Sequence, residues 1–169
     1  YSLLAALIVA VVCIAVARIV TSMKHKYDKV FEPLILIPWL LPSTMIALGL
    51  MMTYDTPRWN IANKVLVATP VIMLLAYVII KIPFSYRMIR AAFIGLDGNM
   101  EEAAQVMGAK PFYIMRKVIM PIIMPVVLSV IVLNFNGLLS EYDLSVFLYH
   151  PLFRPLGIAI KMATDETAT

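Results

Sequence analysis

An all-α, polytopic membrane bundle is the fold class this sequence predicts, and three observations predict it. Of 169 residues, 62% are hydrophobic and 14% charged, with mean hydropathy +0.90. A soluble domain carries about half apolar and about a quarter charged residues, so these charges are too few to coat a water-facing surface. Apolar runs recur at the length of about 20 residues that a spanning helix needs. The basic residues gather in short segments beside those runs, the pattern that orients membrane proteins. The same figures exclude a disordered chain, a disulfide scaffold and an ordinary soluble enzyme. The net charge of +4 follows from the orienting segments, so no nucleic-acid partner is expected. Cys13 is the single cysteine, which rules out an internal disulfide, and its apolar surroundings suit a small buried side chain.

Four spans are expected, at about 1–20, 33–54, 65–88 and 118–139. A cytoplasmic loop at about 89–117 and an outer loop at about 140–169 complete one domain over residues 1–169. The apolar stretch 144–162 is broken by His150, Pro151, Arg154, Pro155 and Lys161. It reads as an interfacial loop or a short re-entrant helix. Nine basic residues follow the first and third spans, against four (Arg58, Lys64, Arg154 and Lys161) on the opposite side. The excess places the first and third loops in the cytoplasm. Lys81 lies about 10 Å from the cytoplasmic end of its span at the helical rise and is expected to snorkel there. Pro38, Pro42, Pro70, Pro83, Pro121 and Pro125 lie in or beside the spans. They suit a kinked bundle around a pathway, or simply the higher proline content of membrane helices. The chain enters an apolar run directly at Tyr1, without a basic leader. It reads as a piece, with sequence missing before Tyr1 and after Thr169.

The segment from Leu96 to Pro111 carries the functional argument. Met100, Ala103, Ala104 and Met107 follow the i, i+3, i+4, i+7 spacing of one helix face. Asn99 is the expected N-cap. Glu101 and Glu102 fall in the first turn, where the helix dipole favours acids. Gly108 suits the left-handed position that ends a helix, and Pro111 suits the first turn of the next. That next helix, about 111–120, would line up Phe112, Met115 and Ile119. The product is a helix, a glycine turn and a helix projecting from the cytoplasmic face. It serves either as a knob for a partner or as a loop folded back on its own bundle.

The segment resembles the characteristic cytoplasmic loop of permease subunits of binding-protein-dependent ATP-binding-cassette (ABC) importers. That loop reads Glu-Ala-Ala, three residues, Gly, nine residues, Ile, one residue, Leu-Pro. Here Glu102-Ala103-Ala104 leads to Gly108, then through Ala109–Lys117 to Val118, Ile119 and Met120-Pro121. Val118 for Ile and Met120 for Leu are changes that roughly conserve volume. The order of spans, including the proline-broken LIPWLLPSTMIALGL, is similar over nearly the whole chain.

The resemblance implies the type I ABC importer permease fold, with at least one more helix after Thr169. It implies a coupling helix that docks in a cytoplasmic ATPase subunit and an extracytoplasmic binding protein that delivers substrate. It also implies a second permease copy or homologous half in the bilayer of a prokaryotic inner membrane. By the same resemblance, Glu102 and its neighbour Glu101 belong to the ATPase-coupling surface. Ala103 and Ala104 lie at the tight contact, and Gly108 makes the turn.

No Gly-Lys-Ser/Thr phosphate loop is present. No cofactor or metal is therefore expected in this chain, and ATP is expected to be bound and hydrolysed by the partner subunit. His25 and His150 are too isolated for a metal pair. Asn134, Asn136, Glu141 and Asp143 cluster at the outer end of the fourth span and are pathway or outer-gate candidates. Asn134 and Asn136 cannot share a helix face; one would face the pathway while the other bonds a neighbouring helix. The outer stretch LSEYDLSVFLYHPLFRPLGIAI loosely resembles permeases for ferric iron, polyamines and aminophosphonates, with ferric iron or another small solute the expected substrate. The alternatives are a membrane-embedded enzyme and a structural membrane scaffold.

Overall fold

Small residues at three- and four-residue spacing set the architecture. The computed structural model describes residues 1–22, 28–56, 65–67, 69–150 and 154–167. Helix α1 (Ser2–Ser22) contains neither glycine nor proline and runs unbroken. Ala6, Val9, Ala10, Cys13, Ala17 and Val20 form its buried stripe. Four of those six are small, which lets a second helix approach closely without a gap. That second helix is α4 (Pro70–Ile94), the main partner of α1. Cys13 is buried as expected, and its thiol donates to the Ile82 carbonyl of α4 at 3.7 Å.

A third long helix completes the frame. Helix α6 (Pro111–Ile114) passes through a π-turn (Met115–Ile119) into α7 (Met120–Leu139) without a break. Ile114, Ile119, Ile123, Val127, Val130, Asn134 and Leu138 are buried along it. Their spacing is three or four everywhere except the five residues from Ile114 to Ile119. The π-turn hydrogen-bonds five residues along instead of four, and so keeps one face inward across that step. The sequence reading of a separate helix over 111–120 before the span is thus corrected to one helix over 111–139, about 43 Å long at the helical rise. It exceeds the roughly 30 Å hydrocarbon thickness.

Proline decides the next two departures from expectation. The stretch 33–54 is two helices, α2 (Asp28–Leu40) and α3 (Ser43–Tyr54), bent by 99°. Pro42 is extended, at φ −55° and ψ 142°, and a residue before proline is pushed out of the helical region, so the chain turns at Leu41-Pro42. Helix α4 starts at Pro70 rather than 65. Thr69 is extended, and its hydroxyl donates to the Leu66 carbonyl at 2.6 Å. Helix α4 then runs to Ile94, six residues beyond the expected end, because nothing interrupts it before Gly95.

The stretch expected as outer loop holds α8 (Ser145–Leu148) and α9 (Leu156–Thr167). Gly157 lets α9 start against the backbone of Glu141; a Cβ there would stand 3.3 Å from the Glu141 carbonyl oxygen. Lys24, His25, Lys26, Arg58, Lys64 and Pro151, which entered the orientation and loop readings, lie outside the described residues.

Among the described residues, three helices are long and apolar enough to cross a membrane, at Ser2–Thr21, Pro70–Ile94 and Pro111–Leu139, and the bent α2–α3 pair adds a fourth if it counts as one span. Val11, Ile19, Leu128 and Val132 are exposed on the outside of this frame. Such a surface suits lipid, not water. The chain is an all-α, multi-pass membrane protein.

Substituting Ala10 by leucine overpacks the α1–α4 contact and is expected to destabilise the bundle by about 1–3 kcal/mol. Val11→Leu, on the exposed side, is expected to be neutral. Thermal denaturation of the two variants in mild detergent checks the difference.

Candidate coupling surface and intramembrane polar seam

Helix α5 (Gly98–Val106) is a short projection whose two ends are fixed by local chemistry. Its N-cap is Asp97, one turn-defining carboxylate earlier than expected: the Asp97 side chain accepts from the Asn99 amide at 3.0 Å. Asn99, the N-cap of the sequence reading, is the donor within the first turn instead. An acidic side chain is favoured at this end of a helix by the helix dipole. At the other end Gly108 has φ +81°, in the left-handed region that glycine enters freely. The Gly108 and Ala109 amides close the end by donating to the Gln105 and Ala104 carbonyls at 2.9 and 3.0 Å. Pro111 then opens α6 at its first helical position.

The five coupling candidates divide between two faces. Ala104 is buried in the same apolar cluster as Phe93, Ile114 and Ile119. Glu101 is ion-paired with Arg18 of α1 through both carboxylate oxygens, one contact measuring 3.0 Å. These two residues hold α5 to its own bundle. Glu102, Ala103 and Gly108 are exposed. The expectation that both alanines meet a partner therefore splits, because adjacent helical positions point about 100° apart. Arg18 also holds the Glu101 carboxyl below its ordinary pKa, chiefly by hydrogen bonding.

Sequence reasoning missed the apolar tip. Val106 is 88% exposed, Met107 80% and Phe112 76%, with Tyr113 beside them at 57%. Val106 lies off the predicted stripe. Phe112 was expected to share a face with Met115 and Ile119, but Ile119 is buried and Met115 only half-exposed. The π-turn between them rotates Phe112 outward. A cavity of about 360 Å³ lies behind α5, walled by Arg18, Arg90, Phe93, Glu101 and Ile119 among others. Nearby, Arg90 pairs with Glu32 of α2 at 2.5 Å, and Arg87 stacks over Trp39 at 5.5 Å.

The pathway candidates also divide. Helices α4 and α7 pack together, and polar groups meet along their contact. Asn134 is buried and donates through Nδ2 to the Ser85 hydroxyl at 2.7 Å. Ser85 in turn donates to the Lys81 carbonyl at 2.7 Å. Further along, Ser145 donates to the Glu141 carbonyl at 2.7 Å. Its one proton is thereby used, so Tyr77 is the donor in their 2.7 Å contact. Asn136 and Asp143 are exposed and Glu141 half-buried. Asn134 is thus the asparagine that bonds a neighbouring helix.

Between these two bonded rungs stands Lys81. The expectation that it snorkels toward Met88 is corrected. Its ammonium lies against Gly137 of α7, 3.1 Å from where a Cβ on that glycine would stand. Helical side chains lean toward their own N-terminus, which for α4 is the Pro70 end, away from Met88. A lysine at the centre of a spanning helix costs about 2.5–3.5 kcal/mol on insertion scales.

Glu101→Gln is expected to loosen α5 by about 1 kcal/mol, raising amide hydrogen exchange across Gly98–Val106. Combining Arg18→Glu with Glu101→Arg is expected to restore protection. The Glu101 pKa is depressed in the folded chain. Its contribution is therefore complete above the ordinary carboxylate value and is lost only as pH falls through the depressed one. Protection of the α5 amides relative to their intrinsic exchange rate should stay constant from neutral pH to about pH 5 and fall on stronger acidification.

Comparison with known proteins agrees with this architecture. The family described as "Binding-protein-dependent transport system inner membrane component" matches residues 2–166. Similar proteins carry provisional names. The ABC transporter permease protein y4fN of Sinorhizobium fredii is 40% identical over 124 residues, covering 73% of this chain and 22% of that protein. The sulfate transport system permease protein cysT of Prototheca wickerhamii is 27% identical, covering 87% of this chain and 60% of its own length. The 2-aminoethylphosphonate transport system permease protein PhnV of Salmonella paratyphi A is 24% identical, covering 83% and 51% respectively. The chain thus spans between about a fifth and three fifths of these relatives. With the family match running through nearly every described helix, the chain belongs to the inner membrane components of binding-protein-dependent transport systems.

Proposed function

We propose that residues 1–169 form one permease domain of an ABC importer, which supplies part of the translocation pathway and couples it to a separate cytoplasmic ATPase. The observation that carries this reading is the exposed apolar tip of Val106, Met107, Phe112 and Tyr113 beside Glu102 and Ala103. An apolar patch that stays in water next to a basic membrane boundary is a protein-docking surface; Arg116 and Lys117 mark that boundary. ATP binding and hydrolysis belong to the docked subunit, and the α5 side faces the cytoplasm of a prokaryotic inner membrane. An extracytoplasmic binding protein delivers solute at the α8 end, and a second permease copy or homologous half completes the pathway. Asn136, Glu141 and Asp143 remain the pathway or outer-gate candidates at that end.

The relatives named for a solute are named for sulfate and 2-aminoethylphosphonate. Both are oxyanions, and we take that class over the ferric iron suggested by the outer stretch.

The test is purification of the full-length, tagged permease from native membranes in mild detergent. Wild type is expected to bring down a stoichiometric ATPase. Val106→Asp with Met107→Asp is expected to lose at least nine tenths of it, since two charges would be desolvated at the contact. Gly108→Asp is expected to weaken capture as well, because its left-handed backbone costs a side-chain residue about 1–2 kcal/mol. Wild type recovered with no ATPase after crosslinking would overturn the reading.

A further inference from the structure

We propose that the Lys81 ammonium contacts the transported solute inside the membrane, and that the solute is an oxyanion. The inference rests on the importer reading above and gives it a site. At the helical rise Lys81 lies about 16 Å from the Pro70 end of α4 and about 20 Å from the Ile94 end. Arg87 on the same helix stands about 9 Å beyond Lys81 at the helical rise, but the Lys81 stem leans the other way, toward the Pro70 end. It crosses to α7, where Gly137 supplies the room: a Cβ there would stand 3.1 Å from Nζ and 3.8 Å from Cε.

Among the described residues, the ion pairs join Arg18 with Glu101 and Arg90 with Glu32, and no carboxylate pairs with Lys81. Glu141, one turn beyond Gly137, makes no ion pair with it. The neighbouring polar side chains are already committed: Asn134 to Ser85, Ser85 to a carbonyl, and Tyr77 to Ser145. Lys81 is half-buried, so the bundle does not enclose it completely. An ammonium in a span without an internal partner marks a solute pathway. It has three donors and no acceptor, which suits the several acceptor oxygens of a sulfate, phosphate or phosphonate group. It would repel a metal cation or a polyamine.

The test uses the complete transporter (full-length permease, its ATPase and its binding protein) in proteoliposomes. Uptake of sulfate, inorganic phosphate and ethylphosphonate is measured against ferric ion and spermidine, with binding protein saturating. Wild type is expected to carry at least one of the three oxyanions and neither cation. Lys81→Met nearly conserves volume and removes an unpaired charge from the span, so its thermal stability should match or exceed wild type. Its maximal oxyanion uptake should nevertheless fall at least tenfold, with ATPase association and basal ATP hydrolysis within twofold of wild type. Lys81→Arg should retain at least a third of uptake, and Gly137→Ala, which pushes the amine aside by a few tenths of an ångström, should fall between. Undiminished uptake in Lys81→Met, cation uptake by wild type, or transport of none of the oxyanions would overturn the proposal. So would loss of stability in Lys81→Met, which would make Lys81 a structural ion-pair partner. Failure of the ATPase to associate with wild type would instead overturn the importer reading on its own.

Discussion

The close approach of α1 to α4 is the contact on which the rest of this structure depends. Between helices in lipid no hydrophobic gain drives association, because the tails are as apolar as the side chains. Packing must do it. The alanines and the cysteine along α1 let α4 lie close enough for the Cys13 thiol to reach a carbonyl of α4. With these two helices locked, α7 fits against both. The coupling projection and the polar seam then inherit their positions.

The seam shows how the fold treats polarity away from water. A polar group in hydrocarbon is expensive unless it is bonded. Ser85 both accepts from Asn134 and donates to a carbonyl, and Ser145 likewise accepts from Tyr77 and donates to a carbonyl. Each hydroxyl is used in both directions. These rungs fix the register of α4 on α7 and tether the short α8 to α4. Lys81 lies between them and is the group this economy leaves over. A glycine opposite it makes its position sterically possible.

At the other end of the bundle, α5 is held by few points. Ala104 packs into the core, and the Arg18–Glu101 pair ties the first turn to α1. A cavity of about 360 Å³ lies behind the helix. The projection is thus anchored on one face and leaves an apolar tip exposed on the other. The π-turn in Met115–Ile119 serves both sides of that arrangement. It keeps the isoleucines of the long helix facing inward while turning Phe112 and Tyr113 out.

The sequence by itself determined the class of the protein. Composition marks a membrane bundle, and the spacing from Met100 to Pro111 placed the α5 projection and the Gly108 turn, because those signals are local. Span existence was legible for the same reason: twenty apolar residues have few alternatives to a membrane helix. Tertiary structure decided what depends on neighbours. The direction of Lys81 follows from α4 running from Pro70 to Ile94, with its side chains leaning back toward Pro70. The partner of Asn134 and the split between Ala103 and Ala104 depend on which helix lies opposite. The exposure of Val106, Met107 and Phe112 depends on a π-turn that no hydrophobic period reveals, since one inserted residue moves every later side chain by about 100°. The 99° turn at Leu41-Pro42 stands between the two cases. Its position was written in the proline, while its size was set by what α2 and α3 pack against.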